Sequence, residues 1–285
     1  MIMEKKKILI FLAVCFSISY LTAGIFHWCG ADYQSIWGLF LGIVYMFFPL
    51  ASVLITQLIT GEKPFSGIGL SFRLNRWWWL GWLVIIPVLI LLSLPVSALF
   101  PGVSIDADNE TMHQAMDSLK AQGMSVGTGG VLALTLVSGL FAGITVNAVT
   151  AFGEESAWRG FLHRLLKGQG FWKESLIIGV IWGVWHAPII LMGHNYPSHP
   201  VAGVFMMVAF CVLFTPIMIF IRERSGSVVM AAIAHGTVNA LAGLSIMLLA
   251  GYDELLSGFP GLAGFIVLAL ADLAILIFGK TRKKA

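Results

Sequence analysis

The sequence predicts an all-α protein: a polytopic membrane helix bundle of about eight transmembrane helices, with both termini cytoplasmic. Three observations predict it. Of 285 residues, 58% are hydrophobic and 11% charged, whereas a soluble domain carries about 25% charged residues. The apolar residues gather into eight long runs, each near the ~20 residues that cross a hydrocarbon core as a helix. The basic residues alternate from one connection to the next, as the positive-inside rule requires of a correctly counted bundle.

The first run, 8–27, follows Lys5, Lys6 and Lys7. A secretory signal shares that layout, but this run is long for an h-region and no A-x-A site follows, so an uncleaved first span is expected. The second run, 36–60, leads into a connection holding Lys63, Arg73 and Arg76. The third, 77–100, opens on Trp77, Trp78, Trp79 and Trp82, the pattern of an interfacial aromatic belt. The longest polar connection, 101–130, places Met112, Met116 and Leu119 at helical spacing between Asn109 and Gly123, which predicts a short interfacial helix.

The fourth run, 131–158, is expected to continue helically to about Leu166, where Lys-Gly-Gln-Gly stops it. The remaining spans are 175–193, 201–221, 227–250 and 260–279. On this count 16 of 17 Lys and Arg residues fall on one side, the exception being Lys120. A transmembrane β-barrel would instead alternate polar and apolar residues over short segments. Backbone crossing lipid must satisfy its own hydrogen bonds, so runs this apolar are read as helices.

One integral membrane domain, 1–285, is expected, with a polar-motif core at about 131–250. Three cysteines, two of them within spans, imply no disulfide framework. The net charge of +3 reflects cytoplasmic anchoring; no basic patch with interleaved aromatics suggests nucleic acid.

Three runs carry residues that an apolar environment disfavours. Glu154 and Glu155 lie at the end of the fourth run, His186 in IWGVWHAP, and His235 with Asn239 in AAIAHGTVNA. Ionisable groups at membrane depth are costly unless paired or hydrated, which makes each a functional-site candidate. Glu155 and Arg159 share a helical face and can pair, while Glu154 is turned ~100° away. Counted inward at ~1.5 Å per residue from the basic ends, Glu155, His186, His235 and Asn239 fall about 12–18 Å along their helices, on the cytoplasmic half. Convergence on one hydrated pocket is the economical explanation. Gly139/Gly143, Gly179/Gly183 and Ala232/Gly236/Ala240 are small-xxx-small pairs that let membrane helices approach backbone to backbone.

Two carboxylates and two imidazoles in a dry pocket can activate water, with a buried glutamate as general base. His235 and Asn239, one turn apart, could donate to a developing oxyanion. Glu154, His186 and His235 are equally a plausible zinc ligand set with one open position. Side-chain-held and metal-held water are both open at this level. Rival signatures are missing: there is no His-Glu-x-x-His, no Gly-x-Ser-Gly in a span and no Gly-x-Gly-Asp.

Glu154-Glu155-x-x-x-Arg159, then Trp182-x-x-x-His186, then His235-x-x-x-Asn239 resemble the three motifs of the CAAX protease and bacteriocin-processing (CPBP) family of intramembrane endopeptidases. One departure is Trp182, where the family pattern usually has Phe. The resemblance implies that Glu154 activates water, with Glu155 and Arg159 in support. His186 would help hold the water or a metal, and His235 and Asn239 would stabilise the oxyanion. It further implies hydrolysis of a peptide bond near the cytoplasmic leaflet, on a peptide or membrane-anchored protein substrate among membrane lipid. Zinc is the one cofactor it allows, and a multi-pass location, such as a bacterial plasma membrane, is expected. A non-catalytic peptide-binding or bacteriocin-immunity protein is the alternative, and a proton-coupled transporter a third reading.

Overall fold

A computed structural model describes residues 2–279 of the chain. The basic tail of Lys280, Arg282, Lys283 and Lys284 lies outside the described residues. Each predicted run is helical over most of its length, but the seventh, expected to reach residue 250, leaves the helix after Ser245 and ends in a short strand at Leu249–Ala250. α1 spans Ile2–Trp28, and the second run is split into α2 (Ile36–Tyr45) and α3 (Phe48–Ile59) by a turn at Met46 and Phe47. α4 is Arg76–Ser97. Its N-cap is Asn75, whose Oδ1 accepts from the Trp77 N–H at 2.9 Å.

The 101–130 connection holds a short strand, β1 (Ser104–Ile105), and α5 (Glu110–Ala121). The Asn109 side chain caps α5 through the Met112 N–H at 2.9 Å, with Met112 turned fully inward. Gly123, at φ +84°, lies just past the end of α5. A second short strand, β2 (Leu249–Ala250), pairs antiparallel with β1.

The fourth run is not one straight helix. α6 (Thr128–Ile144) and α7 (Val146–Gln169) meet at a 48° bend. At the bend the Thr145 hydroxyl donates back to the Phe141 carbonyl at 2.7 Å, a contact that often accompanies helix bending. Within α7 the turns widen to a π-helix over Ser156–Leu162, immediately after the two glutamates. Such π segments are frequent at functional sites. The helix ends where the 167–170 sequence predicts, with Gly170 at φ +85°.

α8 (Phe171–Trp185) and α9 (Ala187–Leu191) form the fifth run and α10 (Pro200–Ser225) the sixth. α11 (Val228–Ser245) is the seventh and α12 (Leu262–Phe278) the eighth. Among the described residues, α1, α4, α10, α11 and the α2–α3 stretch Ile36–Ile59 taken as one are long and apolar enough to cross a membrane, and the bent α6–α7 pair makes a sixth if it is one span. The α8–α9 pair and α12 are shorter.

Glycine explains why the central helices sit so close. A Cβ on Gly179 would lie 2.6 Å from the Val212 Cα, and one on Gly183 would lie 2.5 Å from the Val208 Cα, so α8 meets α10 backbone to backbone. On the other side, a Cβ on Gly236 of α11 would lie 2.7 Å from the Ala148 N of α7. These contacts place α7, α8, α10 and α11 around one core, which includes Trp158, Phe161, Trp182, Trp185, Phe214 and Ile221.

The two ends of the bundle differ in chemistry. At one end the basic connections meet: Arg164 and Lys7 both bind Glu62, the Ser227 hydroxyl donates to the Ser71 carbonyl, and Asn75 donates to Arg224 and Ser225 carbonyls. At the other, the Gln34 amide donates to the Gly193 carbonyl at 3.2 Å and the Tyr196 hydroxyl to the Pro260 carbonyl at 2.7 Å.

Candidate active site

Glu154 and Glu155 leave α7 on different sides, as their one-residue offset requires. Glu154 is 2% exposed, and its Oε2 accepts two indole N–H groups, Trp182 at 2.6 Å and Trp158 at 3.2 Å. That oxygen is saturated, so Oε1 is the atom left for a ligand. Trp158 stands four residues after Glu154, the spacing that also pairs Glu155 with Arg159.

Glu155 is fully buried. Its Oε1 accepts from Arg159 Nη1 at 3.0 Å and lies 2.9 Å from His235 Nδ1 on α11. Arg159 reaches further, donating from Nη2 to the Thr215 hydroxyl on α10 at 3.2 Å. Its guanidinium lies 4.2 Å over the Trp182 ring, a cation–π stack in a desolvated setting. One ion cluster therefore ties α7, α10 and α11 together. Breaking such a cluster by removing one partner leaves an uncompensated buried charge.

His186 ends α8, with Nδ1 2.8 Å from the Trp182 carbonyl. A carbonyl only accepts, so Nδ1 carries the proton, and in the neutral ring Nε2 is a lone-pair acceptor. His235 spends its Nδ1 on Glu155 in the same way, which leaves Nε2 as its remaining nitrogen. The two imidazoles flank Trp182, with ring centroids 5.8 Å and 5.4 Å from it.

A cavity of about 640 Å³ joins these groups. Glu154, His186, His235 and Asn239 all line it, together with Asn147, Thr150, Trp182 and Phe214. Glu155 and Arg159 stand behind its wall and not in it. The depth count along the helices placed the polar groups in the half of the membrane nearer the basic connections. The cavity they share extends the other way, toward Tyr33, Gln34, His194, Asn195 and Pro260.

Among the described residues no group of three or more His, Cys, Asp or Glu side chains is placed to hold a metal ion. Glu154, His186 and His235 are not gathered into such a group in this arrangement.

Several contributors carried weak sequence signals or none. Trp158 was missed, although its four-residue offset from Glu154 was a signal that could have found it. Asn147, whose amide donates to the Gly236 carbonyl at 3.3 Å and which lines the cavity, is an ordinary polar residue at the bend in sequence terms. Thr215 gave no signal, because its role depends on which helix faces Arg159. His163 is buried with Nδ1 2.5 Å from Glu174 Oε1, away from the cavity.

Residues 131–241 match the family described as Type II CAAX prenyl endopeptidase Rce1-like. That segment contains all three motifs and agrees with the resemblance they carry. No curated protein matches the chain. The family match implies a CAAX-protease-type intramembrane endopeptidase, and with the apolar helices it makes this an integral, multi-pass membrane protein.

Proposed function

From an Rce1-like core at residues 131–241, we propose that the protein is an endopeptidase that cleaves a peptide bond inside the bundle with water activated by Glu154. The observation that carries this reading is the shared cavity: Glu154, His186, His235 and Asn239 come from three helices to one wall. In the same proposal the eight helical runs are eight spans, and the basic connections put both termini in the cytoplasm.

Glu154 Oε2 is held by two indoles, so Oε1 accepts a proton from water, with His186 Nε2 accepting that water's other hydrogen. The resulting hydroxide attacks the scissile carbonyl carbon. Negative charge then builds on the carbonyl oxygen, to which in this reading the Asn239 amide and a protonated His235 Nε2–H donate. Glu155 binds both His235 Nδ1 and Arg159 Nη1, which fixes the orientation of the imidazole. Collapse of the tetrahedral species breaks the C–N bond as Glu154 returns its proton to the leaving nitrogen, giving one carboxylate and one amine.

The test is Glu154→Gln in purified, detergent-solubilised protein, assayed by mass spectrometry on a pool of fluorogenic and membrane-anchored peptides. Cleavage by the wild type, abolished in this variant with its melting temperature preserved, is the expected result. Undiminished cleavage by the variant would sink the glutamate mechanism.

A further inference from the structure

Two of the helical runs around the cavity are interrupted, and the interruptions touch. α8 stops at Trp185 and α9 starts at Ala187, with His186 between them. Pro188 has no N–H, and its ring crowds the carbonyl four residues earlier, so Val184 loses its helical donor. Trp185 is the last residue of α8, where carbonyls also lack a partner within the helix.

Each of these two carbonyls accepts from a tyrosine on another helix. The Tyr20 hydroxyl of α1 donates to Val184 at 2.6 Å, and the Tyr45 hydroxyl of α2 donates to Trp185 at 2.9 Å. Their surroundings differ. Tyr20 is 37% exposed, whereas Tyr45 is 0% exposed and lines the cavity. Tyr45 is also the last residue of α2, immediately before the turn at Met46 and Phe47. That turn is seated beside Glu154, because a Cβ on Gly153 would lie 2.4 Å from the Met46 carbonyl oxygen.

The carbonyl that Tyr45 binds belongs to the peptide bond whose nitrogen is that of His186. Fixing this peptide plane fixes the backbone from which the imidazole leaves, while Nδ1 is held by the Trp182 carbonyl. Ring packing adds to the hold. Tyr45 lies 4.6 Å from the Trp185 ring, which is itself 4.8 Å from His186 and 5.8 Å from Trp158, the indole that donates to Glu154. The Trp185 indole N–H is taken by the Ser19 hydroxyl at 2.8 Å, so that ring is anchored too.

We propose that Tyr45 is a positioning residue for His186: its hydroxyl holds the Trp185–His186 peptide at the break between α8 and α9, so that the imidazole keeps one orientation in the cavity. The Met46–Phe47 turn, pressed against Gly153, sets where that hydroxyl stands relative to Glu154. The consequence for catalysis rests on the peptidase reading; the hold on the imidazole does not.

The experiment compares Tyr45→Phe with Tyr20→Phe in the full chain. Each variant removes one hydroxyl from one carbonyl and keeps the ring, and both are expected to lower the melting temperature. On the fluorogenic peptide that the wild type cleaves, Tyr45→Phe is expected to lower kcat about tenfold or more at little-changed KM, because a misplaced group at the reacting centre costs rate. Tyr20→Phe is expected to keep the wild-type kcat. Equal kcat in Tyr45→Phe and the wild type, or equal losses in the two variants, overturns the proposal. Ring-nitrogen NMR with isotope-labelled histidine in nanodiscs, with His186 assigned through His186→Gln, reads the hold without any cleavage. One tautomer, protonated at Nδ1, is expected in the wild type and Tyr20→Phe, and an average of both tautomers in Tyr45→Phe. A His186 signal unchanged in Tyr45→Phe overturns the proposal. A wild type that cleaves nothing shows the peptidase reading to have failed, and the NMR comparison then decides the role of Tyr45 by itself.

Discussion

The indole N–H of Trp182 donates to Oε2 of Glu154 at 2.6 Å, and the same ring supports the Arg159 guanidinium from 4.2 Å. One side chain thus orients the proposed base and carries the cation that braces its neighbour. A phenyl ring in its place would keep the stack and lose the donor.

Trp182→Phe separates those two duties. A hydrogen bond to a charged group contributes about 1.5–3 kcal/mol to the folded state, so a lower melting temperature is expected together with a lower kcat at little-changed KM. Trp182→Leu removes the shelf as well and is expected to lower the melting temperature further. Steady-state kinetics beside a thermal melt distinguish the two, and equal behaviour of both variants counts against the donor role.

Arg159 is braced on three sides, by Glu155, Thr215 and the Trp182 face. Arg159→Ala leaves the Glu155 carboxylate buried with a lost partner, and a destabilisation of about 3–5 kcal/mol is expected. Arg159→Lys keeps the charge but not the planar fork, so partial rescue of stability with little rescue of cleavage is the expected outcome. A lysine variant with wild-type kinetics would argue against a geometric role for the guanidinium.

Gly179 and Gly183 set the α8–α10 distance, and α8 carries both Trp182 and His186. Gly179→Val forces a Cβ to within 2.6 Å of the Val212 Cα. Overpacking of this kind costs about 1–3 kcal/mol. Loss of cleavage is expected to accompany the lower melting temperature, whereas Gly168→Ala, on an open surface at the end of α7, is expected to change neither.

Glu62 lies outside the spans, in the connection after α3. Arg164 hydrogen-bonded to it, and then Lys7, hold its carboxyl below the ordinary value of 4.5 against the opposing effect of burial. A folded-state value below the unfolded one means the contribution to stability is present above about pH 4.5 and is lost as pH falls through the lower folded value. Glu62→Gln is therefore expected to destabilise the protein at neutral pH and to converge with the wild type in acid. Parallel melting curves at every pH would remove this ion cluster from the account of the basic end.

Removal of metal tests the chemistry of the water directly. With no three-ligand group in place among the described residues, cleavage is expected to survive treatment with a strong zinc chelator. Loss of cleavage on chelation, restored by added zinc, would replace side-chain activation by a metal-bound water.

Much of the architecture follows from local chemistry that any stretch of this chain carries with it. Long apolar runs must become helices in lipid, so each run is helical over most of its length. Asn109 and Gly123 bracket α5 because a cap and a left-handed glycine act within a few residues. The Glu155–Arg159 pair is legible for the same reason, since four residues is one turn. The bend at Thr145, the division of the second run at Met46 and Phe47, and the short α8 are less so, because each depends on what a neighbouring helix permits. Which oxygen of Glu154 is occupied, that Thr215 meets Arg159, and that the cavity extends toward Tyr33 and Asn195 instead of toward the basic end were decided only by tertiary packing. Helical spacing specifies a residue's face and depth, but rotation and tilt come from glycine contacts between helices far apart in sequence, and those choose which faces enclose the cavity.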